Sequence, residues 1–453
     1  MHDPVALRRR LAEHAVTARY GLFVGVGGAL ALIGLGLFGW ALMQGQTARA
    51  WQLFHVGWLY FTGLAGGAVA IVAVHKVTHA KWSGLILRYA GAAVAFFPVS
   101  FLGFLLIFTV GYPHIFPEFH DLGHGKEMWL SYPWMFTRLF IGLGALFLLG
   151  WKLVRTDMVP DVYDAKDLVS DGRAATYAKM SEGYDGSEAA QEKVKTLVHR
   201  LAPAYVVVYA VVFSMVAFDM IMALQPHWFS NLLGAFYFMG SFLGGHMLLV
   251  YLTFFGAVAT GTWAFVSPHQ RHDLGKLCFG FSVFWAYLMW SQFLVIWFGN
   301  LPEETGFVFA RLWGPWRPIG TAVFLGMFII PLFGLLGVGP KKFPPTLGLF
   351  AAISLVALFL ERYLLVLPSV TLEHGPVFGM PEIGPLVLFL GTFLLVYGLF
   401  GNRFPMVSPR AALLTIEREI HHAEVPSLGE SDEAADYDTE ESVEKDLGEG
   451  REG

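Results

Sequence analysis

Ten stretches of largely apolar residues follow one another along the chain, near 20–43, 51–74, 85–110, 133–152, 201–224, 232–258, 275–298, 318–338, 345–367 and 382–401. A helix needs about 20 such residues to cross the hydrocarbon core of a bilayer. The pattern predicts about ten transmembrane helices, an all-α polytopic membrane protein. Arg8, Arg9 and Arg10 precede the first stretch as in a signal peptide, and Ala48-Arg49-Ala50 could mimic a cleavage site. The apolar run is roughly twice a normal signal core, so the first helix reads as a retained anchor.

Composition narrows the class. Of 453 residues, 55% are hydrophobic and 14% charged, against about 25% charged in soluble domains. An ordinary globular enzyme is excluded. The single cysteine, Cys278, excludes a disulfide framework and any iron–sulfur or zinc site built on this chain's own thiolates. It also leaves no C-x-x-C-H haem attachment signature.

Charge sets a direction. The net charge is -5, yet residues 411–453 hold fourteen acidic and three basic residues. The body is therefore basic and the tail acidic. With the N-terminus placed in the cytoplasm, twenty-four lysines and arginines fall in inner segments. Four, Arg49, Lys126, Arg311 and Arg317, fall in outer ones. Positive charge marks the cytoplasmic side, so both termini of this multi-pass membrane protein are expected there.

The same reading divides the chain. Residues 1–50 form a cytoplasmic N-tail and helix one. Residues 51–224 form a first four-helix bundle containing a polar cytoplasmic loop at 155–200, part helical around Ala189–Leu197. Residues 225–367 form a second four-helix bundle, 368–403 give helix ten, and 404–453 an acidic cytoplasmic tail, disordered towards its end. The two bundles rest on a weak repeat. Tyr60-Phe61-x-Gly63 with Gly66-Gly67 resembles Tyr237-Phe238-x-Gly240 with Gly244-Gly245. Thr137 with Gly142 matches Thr321 with Gly326, and Asp219 and Glu361 each lie seven residues before a proline. Copies four helices apart share one direction, so the repeat is parallel. Its paired glycines suit close helix contact.

Charged groups inside the hydrocarbon are costly, and each invites a functional hypothesis. Asp219, Glu361, Arg138 and Gln292 are expected in one layer nearer the outer face, with Tyr287 on the approach and His246 near the middle of helix six. These residues and Arg362 are the proton-path candidates. The alternative for Asp219 and Arg138 is a structural ion pair, and for His246 a hydrogen-bonded contact between helices. Arg138 corresponds to Ala322 in the repeat, so only the first bundle offers an arginine from that helix. Arg362 neighbours Glu361, but adjacent helical residues point about 100° apart. Glu361 has no such helix-four partner and is the better relay candidate if Arg362 faces elsewhere. Trp228, Trp297 and Trp313 in the outer loops read as interfacial anchors.

Three segments carry a resemblance. They are Phe218-Asp219-x-x-Met222-x-Leu224-x-Pro226-His227-Trp228-Phe229-Ser230, then Ser291-Gln292-Phe293-Leu294-Val295-Ile296-Trp297 through Leu301-Pro302-Glu303-Glu304, and Glu361-Arg362-Tyr363-Leu364-Leu365-Val366-x-Pro368-Ser369. Together they resemble the NrfD-like family, the membrane subunits of polysulfide reductase type. Within it they look like the two related membrane subunits of bacterial alternative complex III. Val56-Gly57-Trp58-Leu59-Tyr60-Phe61 favours the second, smaller one. The resemblance implies a ten-helix subunit of a quinol:cytochrome c-type oxidoreductase that contributes to quinol interaction, proton translocation or both. It implies partners as well: a companion NrfD-like subunit, an iron–sulfur subunit and multihaem cytochrome c subunits. Those partners would hold the iron–sulfur clusters and c-type haems, with quinone or quinol the ligand possible here. Two other readings fit the residues: an autonomous secondary transporter, and a purely structural membrane anchor.

Overall fold

The computed structural model describes residues 4–119, 122, 124–371 and 375–413. The acidic tail beyond residue 413, with the disorder expected of it, lies outside the described residues. Ten helices are long and apolar enough to cross a membrane. They are α1 (Gly21–Met43), α2 (Thr47–Val77), α3 (Ile86–Ile115), α4 (Tyr132–Ala165) and α5 (Glu188–Met220). Then come α6 (Leu233–Thr260), α7 (Pro268–Gly299), α8 (Gly314–Gly334), α9 (Pro344–Val370) and α10 (Met380–Arg403). Shorter helices outside them are named by residue. The all-α polytopic class is the one the apolar pattern predicts.

The polar loop between the fourth and fifth spans is shorter than the apolar pattern suggested. Helix α4 runs on to Ala165, and α5 begins at Glu188, where the Ser187 hydroxyl accepts from the Ala190 amide at 3.2 Å. The connector is therefore 166–187, with its own helix at Ala174–Met180. Hydropathy locates only the apolar part of a helix, and polar residues continue the same hydrogen-bond ladder into water.

Helices α2 to α5 close into one ring and α6 to α9 into another, joined chiefly where α2 lies against α6. Helix α2 is buried from Ala50 to Ala73. The repeat-related glycines make the junction. A Cβ at Gly245 would stand 2.7 Å from backbone atoms of Gly67 and Ala68, and one at Gly67 would collide with the Ser241 carbonyl. In lipid, dispersion and close backbone approach hold helices together, so no side chain is tolerated there.

Helices α1 and α10 pack against each other in the same way. Gly27 and Gly34 on α1 face α10, and Gly384, Gly391 and Gly398 on α10 face α1, all at seven-residue spacing. The N-terminal helix Pro4–Thr17 and the segment after α10 meet at the protruding end of α4. There Arg8 reaches Asp164 at 2.6 Å and Arg410 reaches it at 3.1 Å.

Candidate functional site

Two of the buried carboxyl groups, Asp219 and Glu361, are the acids singled out in the sequence. Asp219 is one residue from the end of α5, and Arg138 approaches it from α4. The contact is bidentate, Nε to Oδ2 at 2.6 Å and Nη2 to Oδ1 at 2.5 Å. Arg138 also donates Nη1 to the Trp129 carbonyl at 2.7 Å and lies over that indole, 4.0 Å from its centre. Every strong donor and acceptor of this pair has a partner. The geometry is that of a structural clamp at the membrane boundary.

Glu361 differs from what its helical position suggested. The Arg362 guanidinium curls back, placing Nη1 2.7 Å from Glu361 Oε2. The 100° between the two Cα directions is overcome by the length of both side chains. Yet Oε2 and Nη1 are not aligned as donor and acceptor, and both lack a hydrogen-bond partner, as does Arg362 Nε. Arg362 Nη2 does donate to the Tyr237 carbonyl and to Ser241 Oγ, each at 3.2 Å. Its guanidinium lies 4.2 Å from the centre of the Tyr237 ring. Trp285 on α7 offers Nε1 to Glu361 Oε1 at 3.4 Å. Both charged residues are buried, at 3% and 1% exposure. The pair thus occupies the junction of α6, α7 and α9 beside α2. It sets a carboxyl group against a guanidinium with incomplete hydrogen bonding, an arrangement that is costly unless something uses it.

No hydrogen bond or ion pair joins the remaining candidates to Asp219 or Glu361 among the described residues. His246 is buried on α6, where its Nδ1 pairs with the Phe242 carbonyl at 2.9 Å and its ring lies 5.1 Å from that of Phe281. It is a hydrogen-bonded packing residue in this structure. Tyr287 points outward and is 61% exposed, because its position on α7 faces away from both rings. Gln292 is half-buried, and no hydrogen bond joins it to Asp219 or Glu361 among the described residues. Glu361 lies nine residues from the end of α9, whereas Asp219 nearly ends α5. Equal spacing to proline does not give equal distance from the helix end, since α9 runs through Pro368 while α5 stops before Pro226.

Other buried polar groups escaped the sequence reading. Trp228 is no exposed anchor: it is buried and stacked on Phe307 with ring centres 3.6 Å apart. Trp297 and Trp313 are exposed. Arg311, assigned to an outer loop, is buried and donates to the Leu365 carbonyl at 2.8 Å and to Ser369 Oγ at 2.6 Å. At the opposite face Arg88 pairs with Asp161, whose other oxygen accepts from Ser408 Oγ at 3.0 Å. Lys76 pairs with Asp157 at 2.5 Å. The spacing of Asp157, Asp161 and Asp164 along one helix face was the available signal.

No family model matches the chain, and no curated protein matches it.

Proposed function

We propose that this chain is a membrane subunit of a quinol-oxidising complex of the alternative complex III type, the second, smaller NrfD-like subunit. Its companion NrfD-like subunit, iron–sulfur subunit and multihaem cytochromes carry the redox centres, and this chain handles protons. The supporting observation is the buried Glu361–Arg362 pair. Arg362 holds the Tyr237 carbonyl, Ser241 Oγ and the Tyr237 ring independently of Glu361. Glu361 can therefore take up and release a proton without stranding the guanidinium. Asp219 has no such freedom, because its arginine is committed to it through two short bonds.

The test is Glu361→Gln in the assembled complex. Assembly should persist while proton release per electron during quinol oxidation falls. An unchanged ratio and rate would make Glu361 structural. Purification from native membranes tests membership separately. Iron–sulfur and multihaem partners should accompany the chain, whereas transport activity by the lone chain would replace this reading with that of a secondary transporter.

A further inference from the structure

At the face where Arg8 and Arg410 meet Asp164, the last turn of α10 leans on α4 and the connector helix Ala174–Met180. A cavity of about 390 Å³ opens between the three. Its cationic members are Arg155 from α4, Lys179 from the connector and Arg403 from α10, and no carboxylate lines it. All three are exposed, and none makes an ion pair among the described residues. Arg403 is held by Thr176, Nη2 to Oγ1 at 3.1 Å. The floor is apolar. Trp151 and Phe400 face each other edge-on at 6.4 Å, with Val94, Val154 and Met158 beside them.

Cations above and hydrocarbon below, at the level where two spanning helices leave the membrane, match one amphiphile. We infer that the cavity binds an anionic phospholipid. Arg155, Lys179 and Arg403 take its phosphate, and Trp151 and Phe400 take the first part of its acyl chains. Guanidinium groups suit this task because their paired N–H donors fit two phosphate oxygens at once. Basic pockets between spanning helices recognise lipid head groups by this means. A surface lysine or arginine strengthens such binding by about five-fold. Three together therefore discriminate against a zwitterionic lipid by about a hundred-fold.

The experiment uses the full chain in its complex, in nanodiscs of phosphatidylcholine alone or with added phosphatidylglycerol or cardiolipin. Retained lipid is counted by native mass spectrometry. Wild type should retain one anionic lipid against excess phosphatidylcholine. Arg155→Gln alone should weaken retention about five-fold, and the triple variant Arg155→Gln, Lys179→Gln, Arg403→Gln about a hundred-fold, with thermal stability unchanged. Neutralising Lys193, Lys195 and Arg200, which lie on the first turns of α5 and do not line the cavity, should have no effect. Arg155→Gln, at an exposed position, keeps the test valid should the triple variant fold poorly. Equal retention of phosphatidylcholine would overturn the proposal. So would displacement of the lipid by millimolar inorganic phosphate, since the site would then be one for free anions. Insensitivity to all the cavity variants would refute it as well.

Discussion

Removing Arg138 and removing Asp219 should have unequal costs, although they break the same contact. In Arg138→Met the Asp219 carboxylate stays in place with 1% of its side chain exposed and no cation near it. Stranding a buried charge in this way costs roughly 3–5 kcal/mol. In Asp219→Asn the arginine keeps the Trp129 carbonyl at 2.7 Å and the Trp129 ring at 4.0 Å. Its side chain is 12% exposed, so it can lean towards water. Cation–ring contact adds about 0.5–2 kcal/mol, and the net loss should be only about 1–2 kcal/mol. The double variant Arg138→Met, Asp219→Leu leaves neither charge and should lie within about 2 kcal/mol of wild type.

The chain supplies its own reporter. Cys278 is the single cysteine and is buried, so a thiol-reactive dye labels it only on unfolding. Labelling across a denaturing-detergent titration gives the three free-energy differences and their coupling. An Asp219→Asn loss equal to or above that of Arg138→Met would refute the asymmetry. A double variant costing the sum of the singles would refute the ion pair as the source.

Three further outcomes follow from the geometry. Gly67→Ala should separate α2 from α6, since the added carbon meets the Ser241 carbonyl, and should cost about 1–3 kcal/mol; Gly28→Ala, which meets nothing, is the control, and equal melting of the two would refute the contact. Burial in the connector raises the Tyr177 phenol from 10.0 to about 12. The folded form then favours the protonated phenol, a stabilisation complete below pH 10 and lost as pH rises through about 12; a tyrosinate difference titration against Tyr177→Phe should show a midpoint near 12, and one at 10 would refute burial of the hydroxyl. Reporter fusions after residues 175 and 420 should both read cytoplasmic; an outside signal from either refutes the charge argument.

What the sequence determined by itself is the set of ten spans and the all-α class. A membrane segment must be long and apolar whatever surrounds it, so each span can be read on its own. The close approach of the paired glycines was legible for the same reason: a missing side chain is a local property. Which polar groups meet was not. Asp219 and Arg138 were left between a relay and an ion pair, and whether Arg362 faces Glu361 was left open. In the structure the first pair is a bidentate clamp, and the second is a contact between sequence neighbours. Trp228 sits under Phe307 instead of at the interface, and Tyr287 faces away from both rings. These outcomes depend on how far each helix is rotated about its axis and on where a side chain of five or six bonds can reach. Rotation is set only when the helices pack against one another, as α2 and α6 do through Gly67 and Gly245. Apolar length belongs to one segment, whereas partnership belongs to several at once, and only the tertiary structure brings those several together.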